Sequence, residues 1–360
     1  MHLTVRCFSV LALASVLSAQ DYLVVPSAFA SQDGNHRDLV PGILGPRREQ
    51  LLIGPSHLVG LVGRSIQALE FRRHAFLEPF IGGSATFAVA LSISPNAPLT
   101  SSTTFQSNIG PNPVQVFQGV VTAPNSPTPT ANVGWTPDNV IRIAFQQSFL
   151  YTGGTLCIDM AGDKIPQQAQ PFWTADAVLQ NSDSSLLDLG PGTGPTANQL
   201  GRWSFVRQSE LSPGSTVEMF ACGADVNFCV AMVGHPSPVP IPLNAFGIGA
   251  PGAMCYLDEI YESQFVMLTI PEVSGPAMAG FDTTFGYMTL WLPNQPWFLG
   301  VEIGTQWLEL TNWNVSNGIK WTVASTMPTL DMAMLHAHPT EATGQRTVNV
   351  AHIVRIEHTN

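Results

Sequence analysis

Charge is scarce in this chain. Asp, Glu, Lys and Arg make up 11% of 360 residues, the net charge is -11, and only two lysines occur, Lys164 and Lys320. The basic surface that phosphate binding needs is therefore missing, which excludes nucleic acid as a partner. An anionic membrane face would repel such a chain. No apolar run reaches the length of about 20 residues that a bilayer span requires. There is no CxxC unit of the kind that announces a zinc site, no GxSxG elbow, and no long segment with helical period.

Turn-formers and apolar residues are abundant. With Gly 31, Pro 29 and 45% hydrophobic residues, the composition describes many short strands separated by turns. The length allows two domains, each with its own core. The N-terminus, MHLTVRCFSVLALASVLSA, has Arg6 as a basic flank, an apolar core from Phe8 to Leu17 and small residues Ser18 and Ala19. This is the pattern of a secretory signal peptide, residues 1–19, discarded together with Cys7. Four cysteines remain for an oxidising compartment: Cys157, Cys222, Cys229 and Cys255. A clip between Cys222 and Cys229 across a hairpin is the favoured pairing; Cys229 with Cys255 is its rival.

Period-two alternation recurs along the chain. It predicts strands at 63–74, 85–94, 113–122, 140–149 and 154–160, then at 217–221 and 228–233 as a hairpin. Further strands follow at 254–257, 265–270 and 287–292, with a final pair near 332–338 and 347–356. The most regular stretch is Pro296–Val323. Ile303 and Trp307 alternate with Gly304 and Gln306, Ile319, Trp321 and Val323 alternate with Lys320 and Thr322, and Asn314, Ser316, Asn317 and Gly318 turn the chain between them. Its phase assigns Trp307 and Trp321 to a core. The Pro-, Gly- and Ser-rich region between Asn181 and Pro213 marks a boundary. The expected architecture is all-β: two sandwich-like (jelly-roll or Ig-like) domains in tandem, 20–208 and 209–360, the second including an extra C-terminal strand pair.

Several phrases carry a resemblance. These are YLVVPSAFA at Tyr22–Ala30, the Ile66–Arg73 strand ending Phe-Arg-Arg, TGGTLCIDM at Thr152–Met160, PLNAFGIGAPGAMCYLD at Pro242–Asp258, and LPNQPWFLG at Leu292–Gly300 with Gln306-Trp307 after it. In this order they resemble a functionally uncharacterised group of exported, two-domain all-β proteins of planctomycete-type bacteria. The resemblance implies two β-domains behind a signal peptide and supplies no catalytic residues. The tail from Ser325 to Asn360 departs from it.

Candidate sites are few. Gly247, Gly249 and Gly252 spell GxGxxG, but Pro251 lies inside and a strand-like MCYLD follows, so a turn is expected instead of a dinucleotide loop. Phe281-Asp282-Thr283-Thr284 lacks the second copy that an aspartic-protease pair needs. Asp258, Glu259 and Glu262 read as solvated surface. His336 and His338 share a strand face and could hold a divalent metal with His352, Asp331 or a residue from elsewhere as third ligand, or else pack in a sheet as satisfied histidines. Trp297 and Trp313 flank the Pro296–Val323 stretch and are the candidate contacts for a glycan, because sugars stack their apolar faces on exposed rings. Two functional classes follow. One is an exported, non-enzymatic surface or extracellular protein with a structural, adhesive or glycan-binding role, needing no cofactor and meeting glycan or cell-envelope components. The alternative is a secreted hydrolase or metal-dependent enzyme centred on His336 and His338.

Overall fold

The computed structural model describes residues 21–43, 45–164, 173–193, 204–222, 229–258, 265–269, 285–326 and 329–359. The signal peptide, Glu259, Glu262 and the Phe281–Thr284 phrase lie outside them. The fold is all-β, built from antiparallel sheets. In chain order the first strands are β1 (Asp21–Val25), β2 (His36–Leu39), β3 (Arg47–Ile53), β4 (Ser65–Arg72), β5 (Gly83–Ser94), β6 (Val114–Ala123), β7 (Val140–Leu150), β8 (Thr155–Lys164) and β9 (Thr174–Leu179). A one-turn helix, α1 (Phe105–Asn108), bridges β5 and β6. There follow β10 (Leu186–Gly190), β11 (Ser204–Val206), β12 (Thr216–Cys222), β13 (Cys229–Gly234), β14 (Pro236–Pro242), β15 (Met254–Leu257), β16 (Phe265–Thr269), β17 (Phe285–Trp291), β18 (Glu302–Glu309) and β19 (Gly318–Thr322). The chain ends in β20 (Met332–Ala337), β21 (Gln345–Val348), β22 (Val350–His352) and β23 (Val354–Thr359).

The predicted strands at 63–74, 85–94, 113–122, 140–149 and 154–160 are all present, as β4 to β8. Alternation located them because each buries one face. In β5, Ala85, Phe87, Val89 and Leu91 are buried against one core while Thr86, Ala88 and Ala90 are not.

The C-terminal strands are where the tandem expectation needs correction. β20 pairs with β3, β22 with β9, and β23 lies between β1 and β4. The tail therefore completes the sheets of the N-terminal half. A first unit forms from residues 21–179 and 330–359. Its sheets, β21-β20-β3-β8-β5-β6, β1-β23-β4-β7 and β2-β9-β22, enclose one core that includes Leu51, Phe71, Ile158, Trp173, Met334 and Ile356. The described residues between 182 and 325 stand as a second unit inserted between β9 and β20. Local alternation specifies strands but not their partners, so the return of β20–β23 left no mark in the sequence.

In the second unit the sheet β10-β19-β18-β13-β16 has cores on both faces. One face packs Ile303, Trp307, Ile319 and Trp321 against Val217 and Met219 of the sheet β11-β12-β17. The other packs Val230 and Leu308 against Cys255 and Leu257 of β15. The Pro296–Val323 stretch supplies β18 and β19, joined in the register Ile303↔Trp321, with Trp307 and Trp321 buried. The strands at 217–221 and 228–233 do not form the expected hairpin: β12 pairs with β17, whereas β13 pairs with β16 and β18 in another sheet. In place of the Cys222–Cys229 clip, Cys229 is a free buried thiol, as are Cys157 and Cys255; the Cys222 side chain lies outside the described set. The proline-rich segment at 236–242 is a strand, β14, that pairs only with β15, the edge position where missing N–H groups are tolerated.

Candidate functional site

β3 begins Arg47-Arg48-Glu49-Gln50, three charged residues and an amide directly ahead of the apolar Leu51-Leu52-Ile53. Strand parity puts Glu49 on the core face with Leu51 and Ile53. His336 of β20 stands directly opposite Glu49, and His352 of β22 reaches it from the facing sheet. Asp38 of β2 joins them, and its carboxylate, that of Glu49 and a ring nitrogen of His352 have ligand atoms within 4.8 Å of one another. This is the one triad with metal-ligand geometry among the described residues.

A cation already fills it. The Arg47 guanidinium Nη2 lies 3.2 Å from Asp38 Oδ1 and 2.9 Å from Glu49 Oε2. His352 Nε2 sits 2.8 Å from Glu49 Oε1, an ion contact without hydrogen-bond alignment, and both residues are fully buried. Burial opposes the charge of Asp38, yet Arg47, His352 and His336 outweigh it and bring its carboxyl down to about 2. Burial likewise opposes a charged His352, but Glu49 and Asp38 outweigh it and raise its pKa. Two carboxylates thus face one guanidinium and one imidazole that favours protonation, and the cluster's charge closes on itself.

The tail residues separate. His336 is half-buried, with Nε2 3.0 Å from Gln345 Oε1; burial, with Arg47 adding to it, pushes its imidazole down to about 4, so it is neutral at pH 7. His338 lies past the end of β20, and its Nδ1 is 2.8 Å from Thr340 Oγ1. Asp331 accepts a hydrogen bond from Ser56 Oγ at 2.6 Å, tying β20 to the loop after β3. The structure brings His336 and His352 to one polar cluster and leaves His338 and Asp331 out of it. Asp38, Arg47 and Glu49 were not legible as its other members, since nothing but the cross-strand register unites them. The only sequence signal is an unpaired run of charges at the head of an apolar strand.

The tryptophan pair is also divided. Trp297 is 69% exposed in the turn before β18, and Trp313 is 43% exposed beyond the end of β18. The eight residues of β18 lie between the two segments that carry them. The Gly247–Gly252 phrase is a turn, all three glycines having positive φ (73°, 88° and 82°). Its place between β14 and the strand β15 leaves no helix N-terminus for a pyrophosphate.

A second polar assembly lies where the two units meet. Arg207 Nη1 is 3.0 Å from Glu218 Oε2 and 3.4 Å from Glu210 Oε1, and it donates to the Arg346 carbonyl. Arg346, on β21 of the first unit, donates from Nη1 to the Ser101 carbonyl and from Nη2 to the Thr216 carbonyl, both at 3.0 Å. Its backbone N–H donates to Glu218 Oε1. Burial, reinforced by Glu210, pushes the Glu218 carboxyl up to about 8.

Above this assembly opens a cleft of about 420 Å³. The first unit contributes Ser101, Ser102 and Thr103 from the loop before α1, and Thr343 and Arg346 from the β20–β21 hairpin; the second contributes Thr216 and Thr289. Compared with known proteins, the chain matches no family model, no curated protein and no solved structure. No helix among the described residues is long and apolar enough to cross a membrane.

Proposed function

We propose that this chain is an exported, non-enzymatic protein that works at the cell surface or outside the cell, in a structural, adhesive or glycan-binding role. The observation that carries the reading is the distribution of aromatic surface. Among the described residues every tryptophan with a well-exposed ring, Trp291, Trp297 and Trp313, belongs to the inserted unit, while Trp173 of the first unit is buried. Outward indole rings are surface for stacking on sugars or packing on a partner. The first unit, with Arg47, Arg72 and Arg355 paired to carboxylates inside it, serves as the frame. The signal-peptide pattern of residues 1–19 and the resemblance to exported two-domain β-proteins support the location.

The competing reading, a metal-dependent hydrolase, draws on the Asp38, Glu49 and His352 triad. Arg47 supplies positive charge there, so a divalent ion would have to displace a guanidinium bonded to the buried Glu49 and the half-buried Asp38. Metal analysis of the purified protein, alone and as the Asp38→Asn/His352→Gln variant, which removes two of the triad's three ligands, decides between them. Stoichiometric metal lost in that variant would overturn the non-enzymatic reading. Retention on insoluble polysaccharides or envelope material, with an N-terminus at Gln20 on the secreted protein, is the result expected.

A further inference from the structure

In the β12–β17 ladder Thr216 stands directly opposite Trp291 and Glu218 opposite Thr289. Directly opposed residues, and residues two apart on one strand, share a sheet face. Trp291 therefore projects on the same side as Thr216 and Thr289, which wall the junction cleft, and its ring is 62% exposed. From the other unit the cleft receives Ser101, Ser102, Thr103 and Thr343, held in place by the Thr104↔Thr343 bridge and by Gly344 N–H donating to the Thr103 carbonyl. Arg346 forms its base, with two of its nitrogens committed to backbone carbonyls.

Three properties converge on one ligand chemistry. Both walls carry hydroxyls, which donate and accept alike, and those of Thr103, Thr216, Thr289 and Thr343 make no hydrogen bond among the described residues. The cleft holds no lysine, and its one guanidinium donates from Nη1 and Nη2 to backbone carbonyls while its Nε is buried, so it presents little for an anion to pair with. Its volume falls in the range of small-ligand sites. We propose that the junction cleft binds a neutral polyhydroxyl ligand, a pyranose unit of a polysaccharide, with Trp291 stacked on the sugar's apolar face and the threonine hydroxyls paired with the sugar's own. The proposal rests on the glycan-binding form of the proposed function and moves its site from Trp297 and Trp313 to the seam between the units.

The test uses the full mature chain and titration calorimetry with cellohexaose, chitohexaose and mannohexaose as neutral probes and polygalacturonate as the acidic one. A neutral probe should bind, Trp291→Ala should weaken it about tenfold or more, the loss of one stacking contact, and Trp313→Ala should leave it unchanged. Trp291 is exposed, so its variant is expected to fold; should circular dichroism show otherwise, Thr289→Val and Thr343→Val take its place with the same expected direction. Binding lost in Trp297→Ala or Trp313→Ala but intact in Trp291→Ala would overturn the cleft while leaving glycan binding standing. Binding of polygalacturonate alone would overturn the neutral class. No binding of any probe by folded protein would overturn the cleft and the glycan reading together.

Discussion

The buried Nε2 of His352 lies 2.8 Å from Oε1 of Glu49, so a histidine from the last 10 residues meets a glutamate from the third strand. The pair joins two sheets of the first unit, and Arg47 holds the other oxygen of the same carboxylate. Removing the glutamate leaves Arg47 with Asp38 alone and takes away the main group that favours a charged His352 against its burial. Glu49→Ala is expected to cost about 3–5 kcal/mol in denaturant unfolding. Replacing His352 by Gln, which keeps a buried polar group beside Glu49 and leaves Arg47 paired, should cost clearly less; equal losses would show that the Glu49 charge is not what matters there.

Truncation tests the topology. Ending the chain at Ala324 removes β20, which is paired on both sides by β3 and β21, and β23, paired by β1 and β4. The shortened protein should lose the first unit's sheets altogether, seen as aggregation on gel filtration and collapse of the near-ultraviolet dichroism. A truncated chain that stays monomeric with native dichroism would contradict the inserted arrangement.

The two kinds of tryptophan should behave oppositely. Trp307, 1% exposed in the core between two sheets, is expected to lose about 3–5 kcal/mol on truncation to alanine. Trp297→Ala should stay within about 0.5 kcal/mol of the parent. Urea unfolding of both variants measures the contrast.

Thiol chemistry follows from burial. Burial, helped by Asp159, pushes Cys157 up to about 12, and burial with Glu309 does the same for Cys229. Native protein should resist iodoacetamide at pH 8. After unfolding without reductant, peptide mapping should find Cys157, Cys229 and Cys255 all alkylated. An unlabelled Cys229 beside a labelled Cys255 would restore the Cys222–Cys229 disulfide.

The Glu210–Glu218 pair predicts a pH trend. Glu218 keeps its proton up to about 8 in the folded chain but releases it near 4.5 when unfolded, so the folded state binds more protons across that window. This contribution to stability is present at the acid end and is lost as pH rises from about 4.5 to 8. Glu218→Gln should flatten the slope of thermal midpoint against pH between 5 and 8 relative to the parent. An unchanged slope would mean that Glu218 ionises normally in the fold.

Much of the fold was legible locally. β4 to β8 fall where alternation places them, and the phase of Ile303–Trp307 and Ile319–Trp321 assigned both indoles to the core because one face of each strand must be buried. The edge strand β14 was not, since its prolines imitate a loop wherever no partner is known. The candidate sites were legible only in part. His336 and His352 were visible as residues of one tail, but the carboxylates they meet come from β2 and β3, roughly 300 residues earlier.

The sequence by itself determined an all-β chain, the phases of its strands and which tryptophans they bury, because those properties depend on neighbours two residues apart. Tertiary structure alone decided that the tail returns to the first unit, that Arg47 and His352 close the charge around Glu49, and that Trp291 shares a face with the walls of a hydroxyl-lined seam. Each of these depends on which strands pair, and pairing is settled by burial across the whole molecule, where no local pattern records it.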